Sequence, residues 1–473
     1  MELKRDGLNR YRLPRHGKMR VDAVVYVNEH LLPYLREDKS LEQLMHAACL
    51  PGVVEPVIGM PDIHEGFGLP IGGVMAVAPD GVISCGAVGM DINCGVRLIR
   101  SDLLARDFDK PLLRRLMERI EDYVPTGVGK KGKHKGLTAH IFEDVAHRGV
   151  QAVIEAGFGA PGHLEYIEEE GCLPGADIAA VSREACARGS VQLGTLGGGN
   201  HFIEIQEVTD VYDPELAARF GLFRGQLTVM IHTGSRGFGH QICTDYTKRL
   251  AAVAPKYGIE LPSKGLAAAP IDSREGQDYY KAMACAVNFA FANRQIIMTD
   301  VVRAFGDVLG FSAEAIGMRP VYDVAHNIAK WEKHYGRRLL VHRKGATRAL
   351  CAGHPANPPV YRDTGHPAVV PGSMGTASYV LVGTEKAAET FFSVNHGAGR
   401  LLSRTAAEKK ITREEFERAM GEVLYNTRNY REVVDEAPLA YKDIEQVVET
   451  LVAVGITKKV VRMRPLAVIK GKD

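Results

Sequence analysis

Glycine placement constrains this chain more than any other feature. The 473 residues include 50 glycines, gathered in short clusters that follow or precede apolar runs: IGGVMA, CGAVGMDINCGV, LGTLGGGNHF, HTGSRGFGH and NHGAGR. Glycine costs backbone entropy and belongs where a chain turns tightly or lets another group come close. Clusters of it at the ends of apolar segments describe loops that carry a site on a rigid scaffold, not a linker. Apolar runs read as strands at LTVMI (227–231), directly before His232, and at PVYDV (320–324), just before His326. Polar groups at several strand ends suggest one shared cleft. Helical periodicity marks 111–124, 276–309, TREEFERAMGEVLYN from Thr412, with Thr412 and Glu415 as a capping box, and KDIEQVVETLVAVG, stopped by Gly455. The reading is a mixed α/β (α+β) chain. With no internal repeat, low-complexity tract or long Pro/Ser linker, we expect one compact catalytic body over residues 1–473.

Charge excludes several classes of partner. Lys+Arg 59 against Asp+Glu 57 leaves a formal +2, so nothing global draws the chain to nucleic acid or membrane, and a polyanion site has to be a local patch. No stretch approaches the roughly 18 apolar residues of a membrane span, and the basic N-terminus lacks the apolar core of a signal peptide, so a cytoplasmic location is expected. The eight cysteines form no C-x-x-C pair, which argues against a disulfide framework or zinc ribbon. GVGKKGKHKG (127–136) is the one dense basic run; glycine-spaced, it reads as a mobile solvated loop or as a phosphate-backbone contact for RNA. Gly127–Lys133 imitates a phosphate-binding loop, but His134 stands where the Mg²⁺-binding hydroxyl belongs, and Gly197–Gly199 lead into the strand pattern HFIEI instead of a helix. Neither is a nucleotide fingerprint.

Of the 17 histidines, His30, His46, His147, His163 and His334 sit in helical or polar contexts that suit surface or satisfied imidazoles. His201, His232, His326 and His396 instead lie beside Gly, Asn or Thr at the ends of apolar runs. GMDINCGVR adds Asp91 and Cys94, three residues apart in a glycine-bounded turn. One carboxylate, one thiolate and three imidazoles suffice for two ions if the thiolate bridges them; by softness Zn²⁺ comes first, so composition does not identify the metal. His396, framed by small residues with Arg400 four positions on, suits either a nucleophile toward phosphorus or a further metal ligand. PGSMGTAS (371–378) offers backbone N–H groups and hydroxyls for a nucleotide.

Taken in order, PDIHEGFGLPIGG (61–73), GMDINCGVR (89–97), GTLGGGNHFIEI (194–205), HTGSRGFGHQ (232–241), YDVAHN (322–327), PGSMGT (371–376), NHGAGR (395–400) and VIKG (468–471) resemble the RtcB-type RNA-splicing ligases from near the N-terminus to the last residues. The resemblance implies a single fold with a deep central cleft and an enzyme that uses GTP and two Mn²⁺ ions. Its reaction would join RNA 3′-phosphate or 2′,3′-cyclic phosphate ends to 5′-hydroxyl ends, in tRNA splicing or RNA repair, with archease as a potential activator. It implies a guanylylated His396, metal ligands Asp91, Cys94, His201, His232 and His326 with Cys94 bridging, and nucleotide contacts at Asn200, His201, Phe202, Ile203, Glu204, His326, Asn327, Pro371, Gly372, Ser373, Met374, Ser378, Gly397, Ala398, Gly399 and Lys470. It further suggests that Tyr441 stacks on the base and Asp62 supports the site. Glu204 would accept from guanine N1–H and N2–H₂, which adenine lacks. Arg97, Arg236 and Arg400 are candidate phosphate clamps. Two other readings use the same residues differently: a two-metal phosphodiesterase that opens cyclic phosphates without joining ends, and a non-catalytic RNA-binding module.

Overall fold

The structure, a computed structural model, describes residues 3–471. Two sheets organise it. The larger runs, from one edge to the other, through strands Arg319–Ala325, Gly95–Leu104, Gln226–Thr233, Phe202–Val211, Thr457–Lys470, Ser378–Gly383 and Ala368–Val370, with the short strand Leu424–Tyr425 set parallel beside Thr457–Lys470. The other runs Lys4–Gly7, Arg10–Leu13, Ala23–Tyr26, Val53–His64, Ile71–Val77, Arg337–Lys344 and Asn327–His334.

The larger sheet is covered on both faces, and the strand pleat decides which residue goes where. Ile99, Ile203, Ile205, Ile231 and Ile469 pack with helix Lys110–Tyr123 and the C-terminal half of helix Arg274–Leu309. Val96, Leu98, Phe202, Met230 and Val468 form the core of the opposite face. A third cluster ties Ile58, Val74 and Val341 of the smaller sheet to Val370 and Leu381 of the larger one and to helix Ile444–Val454.

Local chemistry sets the helix ends. Asp109 caps Lys110–Tyr123 by accepting from Leu112 N, and Leu113, Leu116, Met117 and Ile120 bury one face at helical spacing. Ser273 caps Arg274–Leu309 at one end and Gly310, at φ +75°, closes it at the other. Gly455, at φ +84°, stops Ile444–Val454. The capping box of Thr412 and Glu415 is present, but that helix ends at Met420. Gly421, at φ +54°, breaks it, and VLYN continues as the strand Leu424–Tyr425 instead of the last helical turn. Among the described residues no helix is long and apolar enough to cross a membrane.

The basic run is tied to the body at several points. Gly127 N donates to Gly197 O (3.2 Å), Gly132 N donates to Val191 O (2.8 Å), and His134 Nε2 lies 3.0 Å from the Asp300 carboxylate. Its lysines 130, 131, 133 and 135 remain exposed on this pinned backbone.

Candidate active site

Four neighbouring strands of the larger sheet end at one edge, and register brings their polar termini together. Gly95 pairs with Thr233 and with Ala325, and Phe202 pairs with His232. Cys94, His201, His232 and His326 therefore occupy adjacent positions although up to 232 residues of sequence separate them. Asp91 joins them through a turn closed by Cys94 N donating to Asp91 O (2.9 Å). Asn93 takes the left-handed position of that turn at φ +51°, a conformation Asn tolerates better than other side chains bearing a Cβ.

The donor atoms converge into two triads that share one residue. Cys94, His232 and His326 form one, Asp91, Cys94 and His201 the other, with the potential ligand atoms of each within 4.8 Å of one another. Cys94 Sγ lies 3.3 Å from His232 Nε2 and 3.5 Å from His201 Nε2. His201 Nε2 lies 2.7 Å from Asp91 Oδ2, and the Nε2 atoms of His232 and His326 are 3.2 Å apart. Burial, reinforced by neighbouring cationic groups, holds His232 and His326 far below the usual imidazole range, which keeps their lone pairs available. Burial and the Asp91 charge push the Cys94 thiol up. Asp91 Oδ1 is buried with no hydrogen-bond partner, a cost of about 1–3 kcal/mol that a cation would offset. The Nδ1 atoms of His232 and His326 also lack partners, but they lie across each ring from the converging Nε2 atoms. Three imidazoles, a thiolate and a carboxylate in two triads fit a pair of divalent ions with Cys94 common to both.

His396 approaches from the other side. It follows strand Ser393–Asn395, whose partner strand Ala346–Arg348 begins just after Gly345. Its ring packs edge-on against His326, with centroids 4.8 Å apart. Asp62, fully buried in strand Val53–His64 of the smaller sheet, accepts three bonds on one oxygen: from His396 Nδ1 (2.6 Å), His396 N (3.0 Å) and Gly397 N (3.2 Å). A carboxylate accepts and cannot donate, so Nδ1 carries the proton and Nε2 keeps its lone pair. Gly345, at φ +63°, lies so close to the ring that a Cβ would stand 3.0 Å from His396 Cε1. Gly399, at φ +80°, lets the loop close on Asp62, whose backbone oxygen a Cβ would meet at 2.2 Å.

Between the sheets lies a cavity of about 350 Å³. Of the residues expected to contact nucleotide, Asn200, Phe202, His326, Asn327, Pro371, Gly372, Ser373, Met374, His396, Gly397, Ala398, Gly399 and Lys470 line it, along with Asp91, Cys94 and His232. Glu204 and Ser378 sit just behind its wall. Glu204 Oε2 accepts from Gln206 Nε2 (2.5 Å), which also donates to Ser378 Oγ (3.1 Å), while Glu204 Oε1 is buried without a partner. Desolvation pushes the Glu204 carboxyl up to about 8. Ile203 is not brought to the cavity: the pleat turns it to the opposite face, among Leu196, Ile231 and Ile469.

The arginine clamps fare unevenly. Arg97 is wholly buried, donating to Asp323 Oδ2 (2.8 Å) and Gln295 Oε1 (2.5 Å), and cannot reach a substrate; a strand-interior position on a face covered by helix removes it. Arg236 donates to Thr195 Oγ1 (3.2 Å) and Gly127 O (3.3 Å), bracing the glycine loop before His201. Arg400 lines the cavity but is held by Glu436 (2.9 Å), Asp435 O (2.6 Å) and Leu402 O (3.1 Å). Its guanidinium lies over the Tyr441 ring, so Tyr441 has a cation on one face.

Among the residues to which the sequence reading gave no role, His64, Phe67, Lys344 and Glu436 also line the cavity. Lys344 closes a strand immediately before a glycine, the same signal that singled out the histidines. Burial lowers its ammonium to about 8. Glu436, bonded to Tyr441 and Arg400 and 3.6 Å from Lys470 Nζ, sits in an irregular segment that offers no pattern to find it by.

The chain as a whole is similar to known proteins. The pattern of the family described as tRNA-splicing ligase RtcB matches residues 43–471. A tRNA-splicing ligase RtcB of Thermococcus kodakarensis is 47% identical over 478 residues, covering 99% of both chains. That of Archaeoglobus fulgidus is 46% identical, covering 98% of this chain and 97% of its own. The RNA-splicing ligase RtcB of Mycobacterium bovis is 42% identical, covering 91% of this chain and 100% of its own.

Proposed function

Because this chain belongs to the RtcB family of RNA-splicing ligases, we propose that it joins RNA ends bearing a 3′-phosphate or 2′,3′-cyclic phosphate to 5′-hydroxyl ends, consuming GTP through a covalent guanylate on His396. The observation that carries this reading is the bracing of His396: Asp62 accepts a hydrogen bond from its Nδ1 at 2.6 Å and fixes the loop through two backbone N–H groups. Metal-ligating imidazoles are braced in the same way, but among the described residues His396 belongs to neither donor triad and lines the cavity beside them.

A phosphate monoester has no good leaving group, so the 3′-phosphate has to become an anhydride before a hydroxyl can displace anything from it. His396 Nε2 attacks the α-phosphorus of GTP; the N–P bond forms as the bond to the β-phosphate oxygen breaks, and pyrophosphate departs. An oxygen of the RNA 3′-phosphate then attacks the same phosphorus, the N–P bond breaks and His396 is restored. Finally the 5′-hydroxyl oxygen attacks the 3′-phosphorus, loses its proton to a base, and GMP leaves. A cyclic phosphate is first opened by water. Asp91, Cys94, His201, His232 and His326 would hold two Mn²⁺ ions, which supply charge neutralisation at phosphate oxygens and activation of water or hydroxyl. Asp62 offsets the positive charge that develops on the His396 ring during attack. Glu204 supports selection of guanine, since its unpartnered oxygen matches guanine's N–H groups and not the adenine edge.

Incubation with α-labelled GTP and Mn²⁺ should leave acid-labile, alkali-stable label on the protein, absent from His396→Ala, and the wild type should seal 3′-phosphate and 5′-hydroxyl fragments. Opening of cyclic phosphate without GTP and without a joined product would replace this reading with that of a two-metal phosphodiesterase.

A further inference from the structure

One part of the cavity is not explained by metal or nucleotide. Phe67 and Met90 line it and remain 46% and 39% exposed. A lone exposed apolar side chain needs no explanation, but two at the mouth of a reactive cavity do. Both belong to segments fastened to Lys344. Its Nζ donates to Phe67 O and to Gly86 O (3.3 Å), and its side chain passes against Gly89, the residue before Met90. The Phe67 loop is fixed on its other flank by Gln43, which donates to Gly66 O (2.5 Å) and accepts from Gly66 N (3.1 Å). Gly68, at φ +86°, packs so closely that a Cβ would meet Gly265 O at 2.5 Å and Gly86 O at 2.8 Å. The chain thus spends a buried lysine, a glutamine and a crowded glycine contact to hold an aromatic ring where water reaches it.

The position of this lip identifies what it meets. Phe202, Met374 and Lys470 of the lining belong to the nucleotide reading. His396 packs against His326 and lies over Gly345, the neighbour of the Lys344 that holds the lip, so the lip stands next to the reacting ring. An RNA end brought to His396 comes within its reach. An exposed ring on a pre-fixed loop loses little entropy when a planar group stacks on it, and every nucleobase offers such a face.

We propose that Phe67, flanked by Met90, is a stacking platform for the terminal nucleobase of an RNA end entering the site. This rests on the sealing reaction proposed above and adds the subsite that holds its RNA. Stacking reads no base edge, so the platform accepts all four bases and gives the enzyme tolerance for end sequence.

The test is direct binding in the absence of GTP, so that it does not depend on guanylylation. Fluorescent oligoribonucleotides ending in a 3′-phosphate or in a 5′-hydroxyl, each with a normal or an abasic terminal nucleotide, are titrated with wild type, Phe67→Ala and Phe67→Trp. Phe67→Ala should weaken binding of one of the two ends roughly five- to hundredfold. The abasic form of that end should bind wild type equally weakly and lose nothing further in Phe67→Ala, and Phe67→Trp should restore binding. Which oligonucleotide responds tells which RNA end occupies the lip. Unchanged binding of both ends by Phe67→Ala, or an equal loss with normal and abasic ends, would overturn the platform. Labelling of His396 by GTP is measured on the same samples. Stacking without label would retain the lip and sink the ligase reading, and label without a Phe67 effect would do the reverse.

Discussion

Two clusters of buried polar residues lie back to back at the edge of the larger sheet, and they are built on opposite principles. In one, Asp323 accepts from Arg97 Nε and Arg294 Nε, each at 2.8 Å, one on each oxygen. Arg294 spends its remaining donors on Asn93 O (2.9 Å), Asn93 Oδ1 (3.0 Å) and Thr233 O (2.7 Å), and only Arg97 Nη2 in the trio is left over. In the other, Cys94 Sγ, the Nε2 atoms of His201, His232 and His326 and the Asp91 carboxylate converge on one another, lone-pair atoms gathered in one place. Burying ions costs several kcal/mol apiece, so the closed cluster is a structural choice: it clamps the backbone just before Cys94 and just after His232. The open cluster gathers lone pairs that a cation can use. Buried charge as such does not mark function here; converging lone-pair atoms do.

Removing the shared thiolate should have the largest effect. In Cys94→Ala the two cations would face each other without the anion between them, and guanylylation should fall below detection with less than two Mn²⁺ retained per chain. Full labelling of that variant would show that the triads do not share a ligand. Asp62→Asn comes next: the amide lacks the charge that offsets the His396 ring during attack and can turn an NH₂ donor toward Nδ1, so guanylylation should slow by about 10²–10⁴-fold, in kcat more than in KM for GTP. The closed cluster should answer in stability instead. Asp323→Ala strands two guanidinium groups and should cost about 3–5 kcal/mol in urea unfolding of metal-free protein. Metal-free His326→Ala should cost less and abolish the stabilisation Mn²⁺ confers; the reverse ranking would erase the contrast between the clusters.

The smallest effect concerns Glu204. Its carboxyl rises from 4.5 to about 8 through burial, so between those values the folded protein holds a proton the unfolded chain has released. Its contribution to stability is therefore lost as pH rises through that window. Accepting two guanine N–H groups favours the ionised form, so GTP binding near pH 7 should release a proton, and affinity should rise by up to ~tenfold per pH unit below about 8. Calorimetry in buffers of different ionisation heat measures that proton, and Glu204→Gln should abolish it.

Much of this was legible in the chain. Asp91, Cys94, His201, His232 and His326 announced themselves because strand-then-glycine punctuation is local, and so did the caps at Thr412 and Gly455. The failures were equally physical. Arg97 and Ile203 sit inside motifs but on the face of a strand that turns away from the cavity, and a single-residue pleat offset is invisible until the register is known. The basic loop has the composition of a flexible segment, yet its hydrogen-bond partners lie at Val191, Gly197 and Asp300, far along the chain. Glu436 carries no periodic or motif signal at all, and Phe67, although inside PDIHEGFGLPIGG, has nothing in its residue type that sets it apart as a contact.

The sequence by itself determined which side chains were available for chemistry and which segments had to turn, because residue type and glycine spacing act over a few bonds. Only the tertiary structure decided that Asp62 from one sheet would brace His396, that Cys94 would stand in both triads, and that Arg97 would be sealed behind them. Those outcomes depend on strand register and on which sheet faces which, properties that no short stretch of chain contains.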